Sequence, residues 1–186
     1  TSIVLMNSPA NPSGMVWPEP VVRDLVSVAQ SRGWQIVSDE AYEDFVYDGK
    51  HFSPAACETD QPAEDRVVTT VHTFSKAYAM TGYRVGYVVT ATPAVARALR
   101  IVQEANLIAM STPVQYAAAH ALTEMSFVAS NRQTLLETRN KVLPALVNAG
   151  LMSTLPAGGW YAVLDVSSTG LSATDFTQGI LEETGV

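Results

Sequence analysis

Lys76 has two hydroxyl residues just before it, Thr73 and Ser75, and an arginine, Arg84, eight residues after it. Those four side chains suit one kind of ligand, a small molecule carrying both a carbonyl and a phosphate. A lysine amine forms a Schiff base with a carbonyl, and the planar fork of an arginine holds a phosphate in two-pronged fashion. Taken alone, a lysine after a strand is ordinarily a solvated loop residue. The whole run at 72–87, HTFSKAYAMTGYRVGY, therefore has to be placed before its chemistry is weighed.

The β-branched run RVVTTV at 66–71 reads as a buried strand. It stops just short of Thr73, which sets the hydroxyls and the amine at a strand's C-terminal end, where ligands bind in open α/β sheets. A second β-rich run follows Arg84 at 85–90. Upstream, a strand at 34–38 ends just before Asp39, in the run IVSDEAY at 36–42, and a strand at 2–6 leads into NSPANPSG at 7–14. That Pro/Gly/Asn cluster is a turn or loop, and Asn11 is biased toward an extended backbone by Pro12 after it. Apolar residues followed by Asp-Glu also fit the strand of a nucleotide hydrolase. That class needs a G-x-x-x-x-G-K-[ST] loop, and the chain contains none. Glu40 and Glu43 read as facing solvent or neighbouring groups, and Tyr78 reads as a packing aromatic.

Between these segments the pattern is helical. Residues 18–32 carry Val21, Val22, Leu25, Val26, Val28 and Ala29 at helical spacing, with Pro18 near the start and Gly33 just past the end. The stretch 47–65 is rich in Pro, Asp, Glu and Ala and reads as a surface loop around an inert Cys57. A helix at 93–104 places Val95, Ala98, Leu99 and Val102 on one face. After a break at 106–112, an Ala-rich helix is expected at 113–122 and a long one at 126–149, interrupted at Pro144, with Leu135, Leu136, Val142 and Leu143 on its apolar side. The turn LPAGGWY at 155–161 enters a strand at 162–166, where Trp160 and Tyr161 read as core or rim packing. Ser172 or Thr174 caps a last helix at 175–183.

Composition narrows the class. The chain has 186 residues, 47% hydrophobic and 16% charged, enough for a buried core and within the globular range. A net charge of −7 argues against a basic face for nucleic acid. A single cysteine excludes an internal disulfide, and His51, His72 and His120 are scattered without zinc-ligand spacing, so no metal site is expected. No apolar run is long enough to span a membrane and no signal peptide is visible, so a cytoplasmic location is expected. Both ends read as cut, in mid-strand and just after a helix.

Three segments together carry a resemblance: NSPANPSG at 7–14, DEAY at 39–42 and TFSK at 73–76, with Arg84 after them. In this order the chain resembles the class I/II aminotransferase family of fold-type I pyridoxal-phosphate enzymes, which are aspartate-aminotransferase-like. The resemblance implies an α/β fold: a partial three-layer α/β/α large domain with a mainly parallel sheet, plus the start of a smaller α+β C-terminal domain. The expected division is 1–125 for the large domain, 126–150 for an interdomain helix and 151–186 for the small domain, all within a parent chain roughly twice as long. It implies pyridoxal 5′-phosphate as cofactor, with Lys76 as its Schiff-base lysine and general acid/base. Asp39 would hold the pyridine nitrogen protonated, Tyr42 and Asn11 would bond the 3-oxygen, and Thr73, Ser75 and Arg84 would bind phosphate. The implied substrates are an L-amino acid and a 2-oxo acid, and the implied assembly is a homodimer, with Ser111 and Thr112 near a partner's cofactor.

Two groups that the family uses lie outside these residues: an N-terminal phosphate-binding helix start with its ring-stacking aromatic, and a C-terminal arginine for the substrate carboxylate. The fragment is expected to be inactive alone. The same cofactor also serves C–S β-lyase and decarboxylase chemistry, which these motifs do not separate from transamination. A non-catalytic effector domain of a regulator, or a degraded homologue, are the readings from another class. The complete set of Asn11, Asp39, Tyr42, Lys76 and Arg84 argues against degradation.

Overall fold

The structure, a computed structural model, describes residues 2–185; Thr1 and Val186, the outermost residues of the expected domains, lie outside them. Four strands form one sheet in the order β1 (Ile3–Asn7), β2 (Gln35–Asp39), β3 (Val68–Thr73) and β4 (Gly86–Val89). The first three run parallel and β4 runs antiparallel to β3. Register aligns the strand ends, since Asn7 pairs with Asp39 and Asp39 with Val71. This is the α/β, mainly parallel arrangement that the strand patterns imply. The expected strand at 66–71 begins and ends two residues later than read, and Asp39 and Thr73, both expected just beyond their strands, are the last residues of them.

Helix α1 (Glu19–Arg32) joins β1 to β2. Pro20 suits its first turn, where an N–H has no partner in any case. Gly33 ends it in the left-handed region, at φ 63°, with its N–H turned back to Ala29 and Gln30 carbonyls. The residues at 22, 26 and 29 repeat once per turn, so Val22, Val26 and Ala29 share one face. They pack on Met6, Ile36, Val67 and Val68, all buried. Each fully buried Val or Ile there contributes about 1.5–3 kcal/mol. Val21 and Val28, expected on the same apolar face, are exposed on the flank.

Residues 47–65 depart from the expected surface loop. They form short 3₁₀ turns at Pro54–Glu58 and Ala63–Asp65, and Glu58 is 2% exposed. Its carboxylate accepts the N–H groups of Val67 (2.8 Å) and Val68 (3.0 Å) and a bond from Gln30 Nε2 (3.2 Å). A carboxylate thus satisfies the first amides of β3, and Cys57, partly buried against the α1 core, has a thiol pushed up chiefly by burial.

Three further helices follow β4: α2 (Pro93–Asn106), α3 (Thr112–Ala121) and α4 (Met125–Asn148). The expected apolar face of α2 is only partly covered: Val95 is half-buried, Leu99 and Val102 are exposed, and the helix has no fully buried residue. In α4 the buried residues are Val128 and Arg139, whereas Val142 is exposed, and the helix runs through Pro144 without interruption. Residues 162–166 are not a strand. Asp165 N–H reaches Leu151 O (2.8 Å), but no described strand runs alongside to complete a ladder. Helix α5 (Ala173–Thr184) closes the described chain, and Ser172 caps it by accepting Asp175 N–H. Among the described residues no helix is long and apolar enough to cross a membrane.

Candidate active site

Five of the seven candidate residues fall in two groups, each held by its own hydrogen bonds. The first sits at the ends of β1 and β2. Asn7 is its tie: the side-chain Nδ2 donates to Asp39 O (3.2 Å), and Oδ1 accepts the Asn11 N–H (2.8 Å). Two residues that are 28 apart in sequence, Asn11 and Asp39, are thereby clamped to one amide. The Asp39 carboxylate accepts Ala41 N–H (3.1 Å), which fixes the turn leading to Tyr42. Asn7, Asn11 and Asp39 line, with Leu5, Met6 and Val37, an open hollow of about 400 Å³.

The second group follows β3. Thr73 Oγ1 accepts Ser75 N–H (3.1 Å), and Thr81 Oγ1 donates to Ser75 O (2.7 Å). Arg84 Nη1 donates to Thr81 O (2.8 Å), so Thr73, Ser75 and Arg84 are linked through Thr81. Ala79 and Arg84 both take φ of 53°, a left-handed conformation that costs a residue with a Cβ about 1–2 kcal/mol. Such strain persists where surrounding bonds over-determine it. Register brings this group alongside β4, with Gly86 opposite Thr73.

Tyr42 and Lys76 join the two groups. Lys76 Nζ lies 5.4 Å from the centre of the Tyr42 ring and 4.8 Å from that of Trp160. Tyr42 also meets Trp160 edge-on, at 5.7 Å. The Tyr42 ring is buried, and its hydroxyl has no hydrogen-bond partner. Burial chiefly, then the adjacent Tyr161 hydroxyl and the Asp39 charge, against an opposing contribution from the Trp160 N–H, push this phenol above its ordinary pKa, so it stays protonated and able to donate.

Helix α4 and the 156–160 turn brace the arrangement from outside. Asn131 Nδ2 donates to Ala77 O (2.8 Å), beside Lys76, and Arg132 Nε donates to Val46 O (2.9 Å). Buried Arg139 holds Pro156 O (2.8 Å) and pairs with Asp48. Gly14 closes the other side: its φ is 69°, and a Cβ there would lie 2.3 Å from Pro156 Cβ. Only glycine lets the 7–14 loop lie against the turn that presents Trp160.

Glu40, expected to face solvent or neighbouring groups, faces neighbours. It is 1% exposed, and accepts Ser53 Oγ–H (2.8 Å) while bonding His51 Nε2 (3.0 Å). Burial raises its pKa, but the His51 and Ser53 hydrogen bonds more than offset that and hold it below the ordinary value. Asn7, Thr81 and Trp160 help form the site as well, although residue type alone does not mark them for it; Asn7 and Thr81 lie within the 7–14 and 72–87 runs, the one signal that the sequence carries for them.

The sequence model of aminotransferase class I and II matches residues 1–186. The chain is 33% identical over 171 residues to an aspartate/prephenate aminotransferase of Thermus thermophilus, covering 90% of this chain and 43% of that protein. It is 33% identical over 190 residues to aromatic-amino-acid aminotransferase 2 of Thermococcus litoralis, covering 100% of this chain and 48% of that one. Its fold superposes on the aspartate aminotransferase of Thermus thermophilus with maleate at a TM-score of 0.89 and 32% identity, over 98% of this chain and 47% of that chain. An aromatic aminotransferase from Pyrococcus horikoshii gives 0.87 and 31%, over 98% and 49%. The chain thus spans about half the length of the relatives it matches. Motif order, sheet register and these likenesses agree: the chain belongs to the aminotransferase class I and II family.

Proposed function

We propose that the protein containing this chain is a pyridoxal-phosphate-dependent aminotransferase, exchanging an amino group between an L-amino acid and a 2-oxo acid, with Lys76 as its central residue. Tyr42 carries the reading: its buried hydroxyl makes no hydrogen bond of ordinary geometry, and its ring centre lies 5.4 Å from the Lys76 amine. An unsatisfied buried hydroxyl costs about 1–3 kcal/mol, a cost that a ring oxygen bound next to it would remove. The cofactor's other polar groups also find matching side chains. Asp39 offers a carboxylate for a protonated ring nitrogen, Asn11 a second partner for the ring oxygen, and Thr73, Ser75 and Arg84 hydroxyls and a guanidinium for a phosphate.

Bound there, pyridoxal 5′-phosphate supplies a carbonyl for a Schiff base and a ring that withdraws electrons from the substrate's α-carbon. The chain's residues orient and exchange protons. The Asp39 carboxylate would keep positive charge on the ring nitrogen. Tyr42 donates its hydroxyl proton to a ring oxygen. Lys76 Nζ would take up the substrate's α-proton and deliver it to the carbon that carried the cofactor's carbonyl, a role general acid–base groups fill with about 10²–10⁴-fold effect. Homodimer assembly belongs to the same reading, supported by the uncovered apolar side of α2 at Leu99 and Val102.

The test is made on the full-length protein. After incubation with pyridoxal phosphate and borohydride reduction, peptide mapping should find the adduct on Lys76 and not on Lys50 or Lys141, the chain's other lysines. Lys76→Ala should remove the adduct and lower transamination by at least about a thousandfold. An adduct confined to another lysine, or undiminished activity in the variant, overturns the assignment.

A further inference from the structure

Behind the two groups, on the side of the strand ends away from Thr73, lies a hydrogen-bonded cluster that the proposed chemistry does not use. His72 immediately precedes Thr73 in β3, and because successive side chains of a strand point to opposite faces, it points away from it. Its Nδ1 meets Glu43 Oε1 at 2.7 Å, and its Nε2 meets Thr70 Oγ1 at 2.8 Å. Its ring stacks on Tyr87 of β4, with centres 4.6 Å apart and planes at 11°. Glu43 belongs to the turn after β2, where its N–H donates to Glu40 O (3.0 Å), and Glu40 N–H donates to Val71 O (3.0 Å).

We propose that His72 and Glu43 form a positioning latch. It holds the turn bearing Asp39 and Tyr42 at a set separation from the strand end bearing Thr73 and Lys76. The inference rests on the proposed function only in taking those four as site residues.

Geometry distinguishes a latch from a cation site. The ligand atoms of Glu40, Glu43 and His72 lie within 4.8 Å of one another, but their bonds are already made, to His51, Ser53 and Thr70 and to each other. The bond also survives a change of protonation. With neutral His72, Nδ1–H donates to Glu43 and Nε2 accepts the Thr70 hydroxyl. Once charged, the ring donates at both nitrogens and Thr70 Oγ1 turns to accept. Burial alone lowers the His72 pKa, but the Glu43 hydrogen bond and the charges of Glu43, Glu40 and Asp44 outweigh it and raise the value. A charge-assisted bond at 2.7 Å, with the imidazole 11% exposed, is strong enough to define a distance.

Two substitutions at one position separate a latch from ordinary packing. His72→Asn keeps an N–H where imidazole Nδ1 stands, and so keeps the bond to Glu43, while losing the stack on Tyr87. His72→Phe keeps the stack and loses both hydrogen bonds. In the full-length, cofactor-free protein, backbone hydrogen exchange is followed by mass spectrometry in peptides covering 39–46 and 73–79. The latch requires that His72→Phe speed exchange about tenfold in both peptides and that His72→Asn stay within about threefold of the parent. Glu43→Leu, at a half-buried position, should reproduce the Phe result. The double variant should be no worse than either single one. With pyridoxal phosphate added, His72→Phe should bind it about tenfold more weakly and His72→Asn nearly as the parent does.

The reverse order, with Phe like the parent and Asn faster, shows that His72 is packing and overturns the latch. So does an additive double variant. The latch stands on the exchange pattern even if the parent takes up no pyridoxal phosphate, an outcome that sinks the functional reading alone.

Discussion

Removing the Tyr42 hydroxyl should stabilise the cofactor-free protein and destabilise the loaded one. The ring of Tyr42 is 4% exposed, and it packs edge-on against Trp160 (5.7 Å) and Tyr161 (6.0 Å). Tyr42→Phe keeps all of that and deletes one oxygen that has no partner. Relief of an unsatisfied buried hydroxyl is worth about 1 kcal/mol, at the low end of its usual cost because the hydroxyl rotates and relaxes. For a full-length chain this corresponds to a rise in Tm of about 1–3 °C. With cofactor present the sign reverses. Loss of one hydrogen bond destabilises the loaded form by about 1–1.4 kcal/mol; added to the gain of the cofactor-free form, this lowers the stabilisation from saturating cofactor by about 2–2.4 kcal/mol and weakens binding about 30- to 60-fold. Calorimetric melting of parent and variant, with and without pyridoxal phosphate, should therefore cross over. A fall of more than about 2 °C in the cofactor-free variant would mean that the hydroxyl already has a protein partner. An unchanged gain from cofactor would remove Tyr42 from the ring-oxygen role.

Glu58→Ala should cost about 3 kcal/mol in urea unfolding, because the N–H groups of Val67 and Val68 lose their buried acceptor; a loss below about 1 kcal/mol refutes the capping role. Stability should also depend on pH through two groups of opposite sign. Glu40 is held below its ordinary value of 4.5, so its contribution is complete above that pH and is lost as pH falls through the depressed value. His72 is raised above 6.5, so the part of its contribution that its positive charge adds is complete below that pH and is lost as pH rises through the raised value. Melting curves of the parent, Glu40→Gln and His72→Phe across pH 3–9 should show the Glu40 advantage shrinking in acid and the His72 advantage shrinking in base. Parallel curves would refute both assignments.

Much of this protein is decided by local sequence. A β-branched run ending in Thr73-Phe-Ser-Lys76 puts an amine and two hydroxyls at a strand's end, whatever else surrounds it, because period-two burial and strand propensity act over a few residues. Helix α1 is equally local: Pro20 and Gly33 punctuate it, and its buried residues recur once per turn. What sequence left open or misjudged depends on distant partners. A carboxylate such as Glu40 is ordinarily solvated, and it is buried here because a turn returns His51 and Ser53 to it. A glutamate in an apparent loop, Glu58, becomes the acceptor for a strand nine residues on. Residues 162–166 have a strand's composition without a neighbouring strand to pair with, and α2 has an apolar face that is only partly covered.

Sequence alone thus settled which chemical groups exist and on which strand ends they stand. Tertiary structure alone decided their mutual distance, through the Asn7 amide, the pairing of Asn7 with Asp39, and the Trp160 ring brought over Lys76 from 84 residues away. Propensity acts between neighbours along the chain, whereas register and packing act between residues that only the folded chain brings together.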